Sequence, residues 1–111
     1  MKPTIRPAAR DDILRQYRYL LVDQDNPEVA ERFLRAVART MEEIAKMPHI
    51  GAPKRVSQEA LRGLRSWRVK GFDDLRIYYL LQEKWIQVVR VLHRKRDINS
   101  ILGKERDETA Q

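Results

Sequence analysis

Between Ala60 and Asp97 three runs rich in aromatic and β-branched residues are separated by short polar breaks. The runs centre on Ser66–Lys70, Leu75–Leu81 and Trp85–His93, and this pattern predicts a three-stranded antiparallel meander. Side chains on a strand alternate between faces. In the first run Trp67 and Val69 oppose Ser66, Arg68 and Lys70; in the second Leu75, Ile77, Tyr79 and Leu81 oppose Arg76, Tyr78 and Leu80. These two runs predict one apolar face and one face carrying Arg68, Lys70, Arg76 and Tyr78. In the third, Val89 and Val91 are set against Ile86, Val88, Arg90 and Leu92. A run apolar on both sides predicts a central strand covered from both faces. Gly71-Phe72-Asp73-Asp74 and Gln82-Glu83-Lys84 read as the turns.

Upstream, the periodicity changes from two to 3.6. Thr4 and Ile5 predict a brief edge strand that Pro7 stops. Ile13, Leu14, Tyr17, Leu20 and Leu21 fall on one helical face, with Asp11 and Asp12 in the first turn complementing the helix dipole. Asn26-Pro27-Glu28 is a helix start: a capping residue, a proline suited to the first position, and a carboxylate at the positive end. Ala30, Phe33, Leu34, Val37, Met41 and Ile44 line one face until Pro48. The short connection between these helices predicts an antiparallel hairpin. Residues 54–60 read as a linker with room for one helical turn. At the other end Asp97 caps a short helix through Leu102, with Gly103 as its stop. The expected architecture is α+β, in the order β-α-α-β-β-β with a short C-terminal helix. A helical hairpin packs on a three- to four-stranded antiparallel sheet. Residues 1–103 form a single domain and 104–111 a polar C-terminal tail.

Composition narrows the function. The 111 residues contain no cysteine, so disulfides, thiol catalysis and Cys-based zinc sites are excluded. No run approaches the ~20 apolar residues of a membrane span, and the first residues lack the apolar core of a signal peptide. A cytoplasmic protein with no membrane partner is the expectation. The net charge of +7 is uneven. Residues 1–53 hold nine Lys and Arg against eight Asp and Glu, whereas residues 54–111 hold fourteen against eight. A basic half suggests a negatively charged partner: nucleic acid, a ribosome or an acidic protein.

Several local motifs share one order with a known superfamily. They are Pro7-Ala8 followed by Asp12 and Tyr17, Asn26-Pro27 with Ala30 and Phe33, and Pro48-His49-Ile50-Gly51. They continue with Leu61-Arg62-Gly63-Leu64-Arg65, Arg76-Ile77-Tyr78-Tyr79, and Arg90-Val91-Leu92-His93-Arg94-Lys95-Arg96-Asp97. Together, from Arg6 to Leu102, they resemble the RelE/ParE superfamily of bacterial type II toxins. The last motif, His-x-x-Arg-Asp after an apolar strand, resembles the ParE branch in particular.

That resemblance implies a toxin held inactive by a cognate ParD-like antitoxin and acting on DNA gyrase, without cofactor, metal or small-molecule ligand. It implies as the alternative a RelE-like, ribosome-dependent mRNA endonuclease. A third reading is a non-toxic basic nucleic-acid-binding module. By position, Arg68 and Lys70 match the two strand lysines of RelE-like toxins and Arg76 matches their strand arginine. These three are the candidate catalytic cations of the alternative reading. Metal-independent RNA cleavage needs a base, charge stabilisation and an acid. Arginine is a poor base, and the C-terminal tyrosine of the better-known RelE-like members has no counterpart after Tyr79. The residues expected to meet target or antitoxin are Arg68, Lys70, Arg76, Tyr78, His93, Arg94, Arg96 and Asp97. Tyr78 beside Arg76 is placed to stack on a base or to lie under an antitoxin segment. His93 is read as a structural residue that hydrogen-bonds backbone at the strand-to-helix turn, with no carboxylate partner evident in sequence. Trp67 belongs to the core, and Trp85, opening its strand, is partly exposed. The antitoxin is expected on the outer groove of the hairpin and on an exposed sheet edge, its acidic residues matching the basic chain.

Overall fold

The computed structural model describes residues 2–103, excepting the side chain of Lys2. The expected tail, 104–111, lies outside the described residues. The chain runs β1 (Lys2–Ile5), α1 (Pro7–Arg18), a π-helical turn (Tyr19–Asp23), α2 (Pro27–Lys46), β2 (Ala52–Pro53) and a 3-10 turn (Glu59–Leu61). It continues through β3 (Arg65–Val69), β4 (Phe72–Leu81) and β5 (Trp85–His93), with residues 98–103 helical. The architecture is α+β, and the sheet is larger than the meander. It has five strands in the order β1-β5-β4-β3-β2, with β1 parallel to β5 and the other pairs antiparallel. β1 adds a parallel neighbour from 83 residues away in sequence, and Pro3 within it blunts the outer edge by removing a donor.

Local chemistry explains most element boundaries. Asn26 Oδ1 accepts from the Val29 N–H at 3.2 Å, with Pro27 at the first position of α2. α1 begins at Pro7, one turn earlier than the sequence expectation, so its first turn holds no carboxylate. Asp11 and Asp12 therefore do not serve the helix dipole, and Asp12 is buried instead. The turn between β3 and β4 is Lys70-Gly71 alone. Gly71 has φ +83°, which a side chain would oppose, so the turn closes in two residues and β4 starts at Phe72 rather than Leu75. Phe72 meets Phe33 edge-on with ring centroids 5.5 Å apart, anchoring the start of β4 on α2.

The helices cover one face of the sheet. Phe33, Val37 and Ile44 of α2 and Ala9 of α1 pack on Val69, Ile77, Tyr79, Ile86, Val88 and Val91, with Trp67 partly buried against them. Burying a side chain such as Phe33 or Ile77 contributes about 1.5–3 kcal/mol each. The opposite face is a second apolar layer. Leu61, Leu64, Tyr78, Leu80, Val89 and Leu92 pack with Ile98 and Leu102 of the C-terminal helical residues. This corrects the expectation of an open basic face. Leu80 and Tyr78 alternate with Arg76, and the helical residues cover them. The facing expected for β5 also changes. The β4–β5 register skips a residue: Tyr78 pairs with Arg90 but Tyr79 with Val88. This bulge puts Val88 and Val91, three apart, on the helix side and leaves Val89 and Leu92 on the other. β5 is an interior strand between β1 and β4, covered on both faces as its apolar run predicts. Helical structure continues through Gly103, so that glycine is not the stop.

Candidate functional site

The candidate residues fall on two sides of one end of the sheet. Arg68 on β3 stands directly across from Arg76 on β4, and Arg76 is in turn across from Leu92. Like charges in directly opposed positions destabilise a strand pair. The Arg68 Cζ lies 5.5 Å from the centroid of the Trp67 ring. That ring is fixed by its own N–H, which donates to Glu43 Oε1 on α2. At that distance the ring face attracts the cation. Lys70 sits in the hairpin turn with its backbone N–H on the Thr40 hydroxyl at 3.2 Å and its ammonium exposed. Arg68 and Lys70 border an open cavity of about 320 Å³ whose other walls are Glu43, Met47, Ile50 and Trp67.

Tyr78 shares the Arg76 face but is only 3% exposed, under Ile98 and Leu102. Desolvation raises its pKa, with Arg76 pulling the other way. The expectation of an exposed ring for stacking is therefore corrected: this tyrosine is core.

His93 pairs with Leu75, whose side chain packs on the helix side, so His93 and Arg76 lie on opposite faces. His93 Nδ1 accepts the Lys95 N–H at 3.1 Å, the backbone bond expected at the strand-to-helix turn. The proton of the neutral ring is thus on Nε2, which faces Asp74 Oδ2 at 3.9 Å. Sequence alone offered His93 no carboxylate; cross-strand register supplies Asp74. That carboxylate is claimed mainly by Arg94, whose Nε donates to Asp74 Oδ1 at 2.8 Å. The Arg94 hydrogen bond and charge, with smaller help from His93 and Lys95, hold the Asp74 pKa below its ordinary value. Asp97 caps the last helical residues, accepting the Ser100 N–H at 3.3 Å. Arg96 is exposed and, with His93, Asp73, Asp74, Arg15, Gln16 and Tyr19, lines a groove of about 560 Å³. This groove adjoins a second, lined by Asp11, Leu14, Arg18, Tyr19, Val22 and Asp23. Leu14, Tyr19 and Val22 are exposed there, Val22 at 68%.

One arrangement that the sequence reading missed supports this end of the fold. Asp12 accepts from Arg90 Nε at 2.7 Å, from Arg90 Nη2 at 2.8 Å and from the Val91 N–H at 3.0 Å. Its signal was present: Asp12 is the one acid on the buried stripe of α1, and Arg90 the one cation in an apolar strand. A second is the Tyr79 hydroxyl, which donates to the Pro48 carbonyl at 2.7 Å and accepts the Gly51 N–H at 2.9 Å. Arg65 Nη1 adds a bond to the Gly51 carbonyl at 2.7 Å, so the loop after α2 is pinned to the sheet. Among the described residues no group of three or more His, Asp or Glu is placed to hold a metal ion, and no helix is long and apolar enough to cross a membrane.

A mixed sheet with a helical pair on one face and a short terminal helix on the other is the fold of small toxin domains already solved. A chain of the chromosomal ParDE TA system from P. aeruginosa superposes with a TM-score of 0.64 at 17% identity, over 84% of this chain and 95% of that one. A YoeB/ParE toxin from Agrobacterium tumefaciens gives 0.55 at 16% identity, over 84% and 98%. At such identities the likeness concerns the fold. The sequence itself supplies the family. The model of the ParE toxin of the type II toxin–antitoxin system, parDE, matches residues 4–98. The chain belongs to the ParE toxin family. A search of curated proteins found no match.

Proposed function

We propose that this chain is the toxin of a type II toxin–antitoxin pair, that it inhibits DNA gyrase by binding rather than by chemistry, and that a cognate ParD-like antitoxin neutralises it in the cytoplasm. Family membership supports the toxin reading. The observation that favours binding over mRNA cleavage is the position of Tyr78. The aromatic hydroxyl nearest the cations of the β3–β4 hairpin is sealed beneath the C-terminal helical residues, with a raised pKa. His93, the other group able to move a proton, lies on the opposite face from Arg76 and is engaged by Lys95 and Asp74. The hairpin thus presents charge with no accessible tyrosine or histidine beside it, and Glu43, the acid that lines the cavity with Arg68 and Lys70, accepts the Trp67 N–H.

The exposed Leu14, Tyr19 and Val22 support an antitoxin helix docking along α1 and the π-helical turn, since contiguous exposed apolar residues mark protein interfaces. The purified chain, added to gyrase and relaxed plasmid, should block supercoiling and accumulate cleaved DNA, and should leave mRNA on a programmed ribosome intact. Cleavage of A-site mRNA with unimpaired supercoiling would establish the endonuclease reading instead.

A further inference from the structure

Pro7, Asp11, Leu14, Arg18 and Val22 follow one another along α1 and the π-helical turn at spacings of three and four, which sets them in one row on the helix surface. All five are exposed, and the last four line one groove together with Tyr19. The row reads apolar, acid, apolar, base, apolar. About Leu14 it is symmetric in apolarity and antisymmetric in charge. Among the described residues neither Asp11 nor Arg18 forms an ion pair, whereas Arg15, one turn away, lies 3.7 Å from Asp12. The groove is also balanced in charge, with Asp11 and Asp23 against Arg15 and Arg18. It therefore lacks the basic bias of residues 54–111 that draws an acidic partner. A two-fold interface brings one surface against its own copy, so each acid on it needs a base at the matching distance on the other side of the axis. This row has that order.

We propose that the free chain forms a two-fold dimer through this row, with α1 antiparallel to α1 of a second copy. An axis at Leu14 sets Asp11 against Arg18 of the second copy, and Arg18 against its Asp11. Pro7 meets Val22 at both ends, and the two Leu14 side chains meet in the middle. The antitoxin helix of the proposed function uses the same face, so the two occupants exclude each other. Pairing then covers the exposed Leu14 and Val22 in toxin that has no antitoxin. It is independent of the cellular target. A single helical row is a small interface, so the pair exchanges with monomer.

Sedimentation velocity of the purified, antitoxin-free chain over a concentration series should show a reversible passage from 13.2 kDa to twice that mass. Each charge contact occurs twice. Asp11→Lys or Arg18→Glu alone replaces two attractive pairs by two repulsive ones and should weaken association at least about tenfold. An equimolar mixture of these two variants should restore it, because Lys for Asp11 in one chain then faces Glu for Arg18 in the other, and the remaining Arg18 and Asp11 face each other. Leu14→Glu sets two like charges on the axis and should leave a monomer. Lys84→Glu, the same charge change as Arg18→Glu but in the β4–β5 turn, should leave association unchanged. Circular dichroism confirms that each variant is folded. A wild-type dissociation constant weaker than about 1 mM overturns the pair and leaves the face to the antitoxin alone. A mixture that associates no better than its components overturns it too, as does a dimer indifferent to Leu14→Glu. A chain that dimerises in this way but leaves gyrase untouched would remove the proposed function and keep the pair.

Discussion

Asp12 and Arg90, 78 residues apart, form a two-pronged ion pair at 2.7 and 2.8 Å with side-chain exposures of 3% and 12%. The same carboxylate takes the Val91 N–H, so α1 is bolted to the bulged part of β5 through charge and backbone together.

Asp12→Asn removes the charge but keeps the size, so the buried Arg90 guanidinium loses its two-pronged carboxylate. The expected loss is about 3–5 kcal/mol in denaturant unfolding. Asp12→Leu combined with Arg90→Met should cost less than Asp12→Asn alone, because no buried charge is stranded. Equal losses would show that the pair serves only as packing.

Tyr79→Phe keeps the ring in the core and deletes only the hydroxyl. The Gly51 N–H and the Pro48 carbonyl then lose their partner, at about 1–3 kcal/mol. Gly51→Ala tests the same lock from the other side. A Cβ there would stand 2.6 Å from the Tyr79 hydroxyl oxygen and 2.8 Å from the Ser66 carbonyl oxygen, which is backbone and cannot yield. Both variants should lower the melting temperature, and a neutral Gly51→Ala would contradict the close approach.

The Asp74 carboxyl has a folded pKa below its unfolded one, held down first by the Arg94 hydrogen bond. Its stabilising contribution is therefore complete above the unfolded value of about 3.9 and is lost as pH falls through the folded value. Asp74→Asn should flatten the acid limb of stability below that point and leave neutral-pH melting nearly unchanged, since the group is on the surface. Unfolding curves from pH 7 downward read this directly.

Tyr78 and Tyr79 carry the opposite shift, raised mainly by burial. Stability from their neutral hydroxyls is complete below the unfolded pKa of about 10 and is lost as pH rises through the folded values. Tyr78→Phe should reduce the steepness of alkaline unfolding. Ultraviolet titration should show one fewer late-titrating phenol.

In cells, Arg68→Ala, Lys70→Ala and Arg76→Ala combined should abolish growth inhibition while preserving the fold, because none of the three contributes to either apolar layer. Full toxicity of the folded triple variant would remove the hairpin from the active surface.

Much of the fold was legible because its signals are local. Asn26, Pro27 and Pro48 delimit α2 by capping and by missing donors, and three β-rich runs announce β3, β4 and β5. What escaped was non-local. The four residues of β1 hold too little pattern to show that they pair with β5, and the bulge that rotates Val88 and Val91 to one side appears only in register. The site divides the same way. Side-chain type made Arg68, Lys70 and Arg76 visible. Whether Tyr78 faces solvent depends on residues 98–103 folding back over it, and whether His93 has an acid beside it depends on Asp74 lying on the neighbouring strand. Asp12 misled because a helix that begins at Pro7 puts it in the second turn, facing the sheet.

The parallel pairing of β1 with β5 sets an order of events during synthesis. Lys2 to Ile5 find their partners only among Trp85 to Val88, and Asp12 waits for Arg90. The first strand and helix therefore leave the ribosome with no sheet to join, and the domain closes only when its last strand has been made. A growing chain of this design has no finished working surface for most of its synthesis. Whatever restrains the finished protein has to be on hand at the moment of closure and gains little by arriving earlier.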